Sequence, residues 1–156
     1  GVPENNIGSA IKEFQGVEHR LEHVKFINNV EFVNDSKATN IQSVKVAIDS
    51  YNKPIILILG GYNKGADFRL LLPHIKSSNV RDIVSYGDAG GQINTALGDA
   101  VSSVQVTDLN SAVKKAHSLA TPGDIVLLSP GCASFDQFPN FEVRGNFYKS
   151  IVRNEL

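Results

Sequence analysis

The chain has 156 residues, 15 Lys+Arg against 16 Asp+Glu, one Cys and neither Trp nor Met. That length suits one domain with a core of its own, and 42% hydrophobic against 20% charged residues exclude a disordered chain. A net charge of −1 gives no general field for nucleic acid or anionic lipid, and a single Cys excludes a disulfide framework or a Cys-rich metal cage, which fits a reducing cytoplasm. The longest apolar run, Ile55 to Leu59, is too short to span a bilayer, and Gly1 opens a polar stretch without a signal-peptide pattern. No nucleic-acid or membrane partner is therefore expected. With no Met anywhere, the chain reads as a piece of a longer one.

Taken in order, Ile7, Ala10, Ile11 and Phe14 predict one helix face, stopped at Gly16. Strands around Val24–Ile27 and Val30–Val33 flank Asn28-Asn29, a pair that tolerates the positive φ of a tight hairpin, so the two strands should be antiparallel. The pattern then becomes strand and helix in alternation. Helix faces are read at Ile41–Tyr51, at Phe68–Ile75 with Pro73 in a first turn or kink, at Ile93 and Leu97, at Leu109–Ala120 behind an Asp108 N-cap, and at Phe141–Val152. Strands are read at Ile55–Leu59, Ile83–Tyr86, Val104–Val106 and Ile125–Leu128. Strands alternating with helices imply right-handed βαβ units. The expected fold is α/β: a Rossmann-like, open, mostly parallel sheet flanked by helices, with an antiparallel N-terminal hairpin.

Open sheets of this kind bind ligands beyond the carboxyl ends of their strands. Three such ends are dense in hydroxyls, small residues and charge: Asn34–Asn40, Gly60–Asp67 and Ser129–Asp136. Lys37 and Lys64 are their cations, suited to phosphate or carboxylate, and helix N-termini behind the loops add N–H donors. The same loops also read as ordinary surface, with Asp35, Ser36 and Thr39 as N-caps and the glycines of Gly60-Gly61 as a tight turn. Gly60-Gly61 and Gly65 match neither G-x-G-x-x-G nor G-x-x-x-x-G-K-[ST], so an autonomous NTPase or a dehydrogenase is disfavoured. Cys132 reads as a small buried residue, and His19, His23, His74 and His117 have no metal spacing, the last two lying on helix surfaces. Arg20 reads either as a surface ion-pair partner or as a clamp on phosphate or ribose.

Four motifs in one order carry a resemblance. They are His19-Arg20; Asn34-Asp35-Ser36-Lys37-Ala38-Thr39-Asn40; Leu59-Gly60-Gly61 with Lys64 and Asp67; and Leu128 to Phe138 with Asn140-Phe141-Glu142 and Arg144-Gly145 behind. From about Gly16 to the end, the chain resembles the C-terminal domain of the Mur ligases of peptidoglycan synthesis, in their D-glutamate-adding branch. Residues 1–16 then resemble the tail of the central domain with its linker, and 17–156 the C-terminal domain. The resemblance implies ATP-dependent amide formation through an acyl phosphate, with D-glutamate and UDP-N-acetylmuramoyl-L-alanine as substrates. It implies a cytoplasmic enzyme whose N-terminal and central domains lie elsewhere, the central one holding most of the Mg2+ ligands, so that this domain alone should be inactive. Thr39 and Lys64 would hold one carboxylate of D-glutamate, and Ser134, with backbone near Phe135 and Phe141, the other. Arg20 and Asp35 would contact the nucleotide, and Lys37 would act catalytically by neutralising charge near the transferred phosphoryl. Gly131, Pro139 and Tyr62 depart from the usual family residues; Gly131 in place of Ala should loosen its loop slightly. The alternative is a stand-alone, non-catalytic Rossmann-like module for a nucleotide or an acidic small molecule.

Overall fold

The computed structural model describes residues 16–156, so the helix expected over Ile7–Phe14 lies outside the described residues. The hairpin is β1 (Glu22–Ile27) and β2 (Val30–Asn34), paired antiparallel. Asn28 and Asn29 make the turn with φ of 50° and 62°, the left-handed pair that a two-residue hairpin needs. Then follow α1 (Ile41–Asp49), β3 (Ile55–Gly60), a 3-10 turn (Phe68–Leu71) running into α2 (Leu72–Ser77), β4 (Val80–Tyr86) and α3 (Gly90–Leu97). The chain closes with β5 (Ser102–Gln105), α4 (Leu109–Leu119), β6 (Ile125–Gly131) and α5 (Phe141–Asn154).

The six strands lie in the order β1-β2-β6-β3-β4-β5, and every pairing except β1 with β2 is parallel. Position in the sheet follows from composition. The uniformly apolar β3 is buried at all six positions and sits beside the fully buried β6, whereas β1 and β5, with mixed polarity, form the edges. One core layer joins Val44, Ile48, Leu57, Leu71 and Ile93 beneath α1, α2 and α3. The other joins Phe32, Ile58, Val113, Leu128, Tyr148 and Val152 beneath α4 and α5.

The element predictions hold with local shifts. Pro73 lies in the first turn of α2, where a missing N–H costs nothing. Asp108 caps α4 through Ser111 N–H at 2.8 Å. Strand β5 starts and ends earlier than Val104–Val106; Val106 still donates its N–H to Ser85 O at 2.9 Å. None of Asp35, Ser36 and Thr39 caps α1. Asn40 does, accepting from Ser43 N–H at 2.9 Å, because Asp35 and Ser36 are drawn inward by other partners. His117 is not a plain surface residue: it is half-buried, with its ring 5.8 Å from that of Phe32. His74 stays partly exposed and pairs with Asp49 at 3.1 Å.

Topology decides where chemistry can collect. Strands β2, β6 and β3 are neighbours, so their three polar loops share one edge of the sheet. The chain leaves β3 toward the layer of α2 and leaves β6 toward the layer of α5. Departures to opposite faces open a crevice between adjacent strand ends, the usual ligand position in such sheets.

Candidate functional site

At the end of β2, Asp35 turns inward and is 4% exposed. Its Oδ1 accepts from Leu21 N–H at 3.2 Å and its Oδ2 from the Ser129 hydroxyl of β6 at 2.8 Å. Burial pushes its carboxyl up to about 6, against those two hydrogen bonds and the charge of Arg20. The segment that reaches it is itself strained: His19 and Leu21 hold φ of 64° and 43°, which non-glycine residues adopt at a cost of roughly 1–3 kcal/mol each. That turn also delivers the carbonyl of His19 to Lys37 N–H at 3.0 Å. The result is a cavity of about 310 Å³ lined by Arg20, Asp35, Lys37, Gln42 and Ser43, with Val46 and Ala47 as apolar floor. Arg20 and Lys37 are exposed there. A buried carboxylate near Arg20, with Lys37 lining the same concave site, fits a ligand that presents both anionic and hydroxyl groups. Both Asp35 oxygens already accept one hydrogen bond, so a ligand hydroxyl would use their remaining lone pairs.

The ends of β3 and β6 form a second half-site. Gly60 and Gly61 sit at φ of 150° and 125°. A Cβ on Gly60 would strike the Tyr86 carbonyl, and one on Gly61 the Ala133 carbonyl, so the two glycines answer a close backbone approach. Past them, Tyr62 N–H reaches Ala133 O at 2.8 Å and ties the β3 loop to the β6 loop. Asn63 then shapes the turn: its Oδ1 accepts from Gly65 N–H at 3.0 Å and Ala66 N–H at 2.7 Å. This presents Lys64 outward, with its ammonium 5.0 Å from the ring centre of Phe135, itself 59% exposed. Ser134 is buried next to it, and its hydroxyl makes one long contact, 3.5 Å, to Phe138 O.

Six of the eight predicted site residues fall into two groups on one rim. Arg20, Asp35 and Lys37 line one cavity; Lys64, Phe135 and Ser134 form the other group. Phe141 sits beside the first group, its ring 6.0 Å from the Lys37 ammonium and its carbonyl accepting from Ser36 Oγ at 2.8 Å. Thr39 is exposed just before the Asn40 cap. Gly131, expected to loosen its loop, instead takes φ of 68°, which an Ala adopts only with strain, and its N–H is fixed to Ala38 O at 2.9 Å. Cys132 is buried, and burial pushes its thiol up to about 12, which leaves it protonated and unreactive. No cluster of three or more His, Cys, Asp or Glu able to hold a metal ion occurs among the described residues. The cations and hydroxyls of the rim suit anionic and hydroxyl groups of a ligand.

Sequence reasoning gave no role to Arg144, which is fully buried and bonds Ser36 and Cys132. It also missed Ser129 and Ser36 as partners of the rim, and Lys149, which pairs with Glu18 at 2.8 Å and Glu22 at 3.0 Å. One signal was present: Arg144 precedes Tyr148 and Val152 at four-residue steps, on the buried stripe of α5.

The fold and rim define an open α/β domain with its polar groups gathered at the strand ends. The family described as "Mur ligase, glutamate ligase domain" matches residues 19–132, and the chain belongs to that family. Curated relatives named UDP-N-acetylmuramoylalanine--D-glutamate ligase include that of Acidobacterium capsulatum, 44% identical over 152 residues, and that of Chlamydia caviae, 43% over 151 residues. Each alignment covers 97% of this chain but only 33% and 36% of the relative, so the chain spans about a third of their length. Among solved structures, E. coli FolC in complex with ADP aligns with 99% of this chain and 36% of its own at a TM-score of 0.66 and 19% identity. UDP-N-acetylmuramate-alanine ligase from Thermotoga maritima aligns with 97% and 35% at 0.62 and 12%. At those identities the likeness is one of fold.

Proposed function

We propose that the chain is the C-terminal, amino-acid-adding part of an ATP-dependent ligase that joins D-glutamate to UDP-N-acetylmuramoyl-L-alanine in peptidoglycan synthesis. The observation that carries this is the name shared by relatives 41–45% identical over nearly the whole chain. The rim agrees with it. A dianionic amino acid needs cations and hydroxyls at both carboxylates. Lys64 with Thr39 would take one, and Ser134 with the backbone at Phe135 and Phe141 the other. In the neighbouring cavity Arg20 would meet phosphate and Asp35 ribose hydroxyls, while Lys37 would offset charge at the transferred phosphoryl. The substrate carboxylate is phosphorylated by ATP, the D-glutamate amine attacks the acyl phosphate, and phosphate leaves. Mg2+ would be held chiefly by residues outside this chain, as would the UDP-sugar.

In this reading residues 17–156 are the C-terminal domain, residues 1–16 the end of a central domain with its linker, and the whole enzyme is cytoplasmic. No helix among the described residues is long and apolar enough to cross a membrane. The test is ATP turnover by the full-length protein with and without D-glutamate. Turnover that requires D-glutamate and the UDP-sugar, and that is lost in the isolated chain, is expected. Turnover at a full rate by the isolated chain, or none that responds to D-glutamate, would refute the proposal.

A further inference from the structure

Arg144 is the largest fully buried side chain in the molecule's described part and projects from the first turns of α5. One edge of its guanidinium faces Ser36, with Nε donating to Oγ at 2.9 Å and Nη2 to the carbonyl at 2.8 Å. Nη1 donates to Cys132 O at 3.0 Å. The Ser36 hydroxyl, while accepting from Arg144, spends its own proton on Phe141 O at 2.8 Å. Gly61 lies over the same group: a Cβ there would sit 3.2 Å from Nη1. One planar fork thus stands where the loops after β2, β3 and β6 meet. A lysine has three donors at a single point and cannot span Ser36 and Cys132 together.

Among the described residues Arg144 has no carboxylate partner within ion-pair distance. Buried charges are normally paired, since desolvation is costly. Here the guanidinium is held by hydrogen bonds to three neutral oxygens. Ser36 is flanked by Asp35 and Lys37; Cys132 lies two residues before Ser134. The fork is therefore a side-chain tie between the half-site assigned to nucleotide and the half-site assigned to D-glutamate, beside the backbone bond from Gly131 N–H to Ala38 O.

We propose that Arg144 is a positioning residue: its guanidinium fixes the Asp35–Lys37 loop against the Cys132–Phe135 loop, so that the two ligands are aligned as one site. The consequence for ligands rests on the function proposed above; the coupling of the loops does not. Two measurements separate them. In amide hydrogen exchange on the full chain, Arg144→Lys should raise exchange at Lys37 and Gly131 at least tenfold and leave Leu57 and Leu127 unchanged. No rise at the loops, or an equal rise in loops and core, overturns the coupling. In the full-length ligase, Arg144→Lys should raise the KM for ATP and for D-glutamate together, about tenfold each. A variant that merely loses folded protein lowers kcat with both KM values unchanged, and that result, like a shift in one KM alone, overturns the proposal. If Arg144→Lys does not fold, Ser36→Ala, which removes one acceptor of the fork, decides by the same readouts with smaller shifts. Loop exchange that rises as expected while the wild-type enzyme ignores D-glutamate would refute the assigned function and leave the coupling standing.

Discussion

At the end of β2 the rim is tied by residues far apart in the chain, whereas past the Tyr62–Ala133 bond at the end of β3 the turn that presents Lys64 is shaped mainly by near neighbours. Asp35 is held by Ser129 and Ser36 by Arg144, across 94 and 108 positions. Lys64, by contrast, is presented by Asn63 bonding Gly65 and Ala66, and the following turn is capped by Asp67. The first region stores cost: a raised carboxyl, strained backbone at His19 and Leu21, and a buried guanidinium. The second stores little and leaves its lysine and phenylalanine in solvent. On the proposed function the first loop holds a nucleotide in one orientation, which gains from rigidity. A loop that meets its ligand at the outer rim gains from access.

Substitutions can break this comparison at graded strength. Gly61→Ala attacks the seam between the regions, since its Cβ meets the Ala133 carbonyl and its φ of 125° disfavours any side chain. It should lose about 3 kcal/mol of stability in denaturant unfolding. Asp35→Asn should do the opposite with a pH signature. The folded carboxyl titrates at about 6 against an ordinary 3.8, so the folded state binds the proton more tightly than the unfolded one. The resulting penalty is absent below both values, grows between them and is full above 6. The variant should therefore match wild type near pH 4 and gain on the order of 2 kcal/mol at pH 7. An equal change at both pH values would remove burial as the cause.

Much of the fold could be read from residues acting locally. The Asn28-Asn29 turn, the Asp108 cap and the unbroken apolar runs of β3 and β6 each name their own structure. The polar loops were legible as a rim because strand ends collect ligands. What stayed hidden was tertiary: that Asp35 would turn in toward Ser129, that Asn40 would cap α1 instead, and that an arginine would lie on the buried stripe of α5. No spacing rule reports a contact across a hundred residues. The same division explains Gly131, whose left-handed backbone is fixed by Ala38 of another loop.

Weaker substitutions sharpen the contrast. Ser36→Ala should cost about 1–2 kcal/mol, because Arg144 Nε and Phe141 O both lose a buried partner. Asn63→Ala removes hydrogen bonds of a solvent-exposed turn and should cost about 1 kcal/mol or less. Its effect on amide exchange should stop at Ala66, whereas that of Ser36→Ala should extend to Gly131. Lys64→Ala, at an exposed side chain, should change stability by about 0.5 kcal/mol or less.

That last variant also bears on the central claim, that this rim holds D-glutamate for an ATP-dependent ligase. In the full-length enzyme, D-glutamate dependence of ATP turnover should be measured for wild type and Lys64→Ala at saturating ATP. The account predicts a KM for D-glutamate raised at least tenfold, with thermal stability and the KM for ATP unchanged. An unchanged KM for D-glutamate would contradict it.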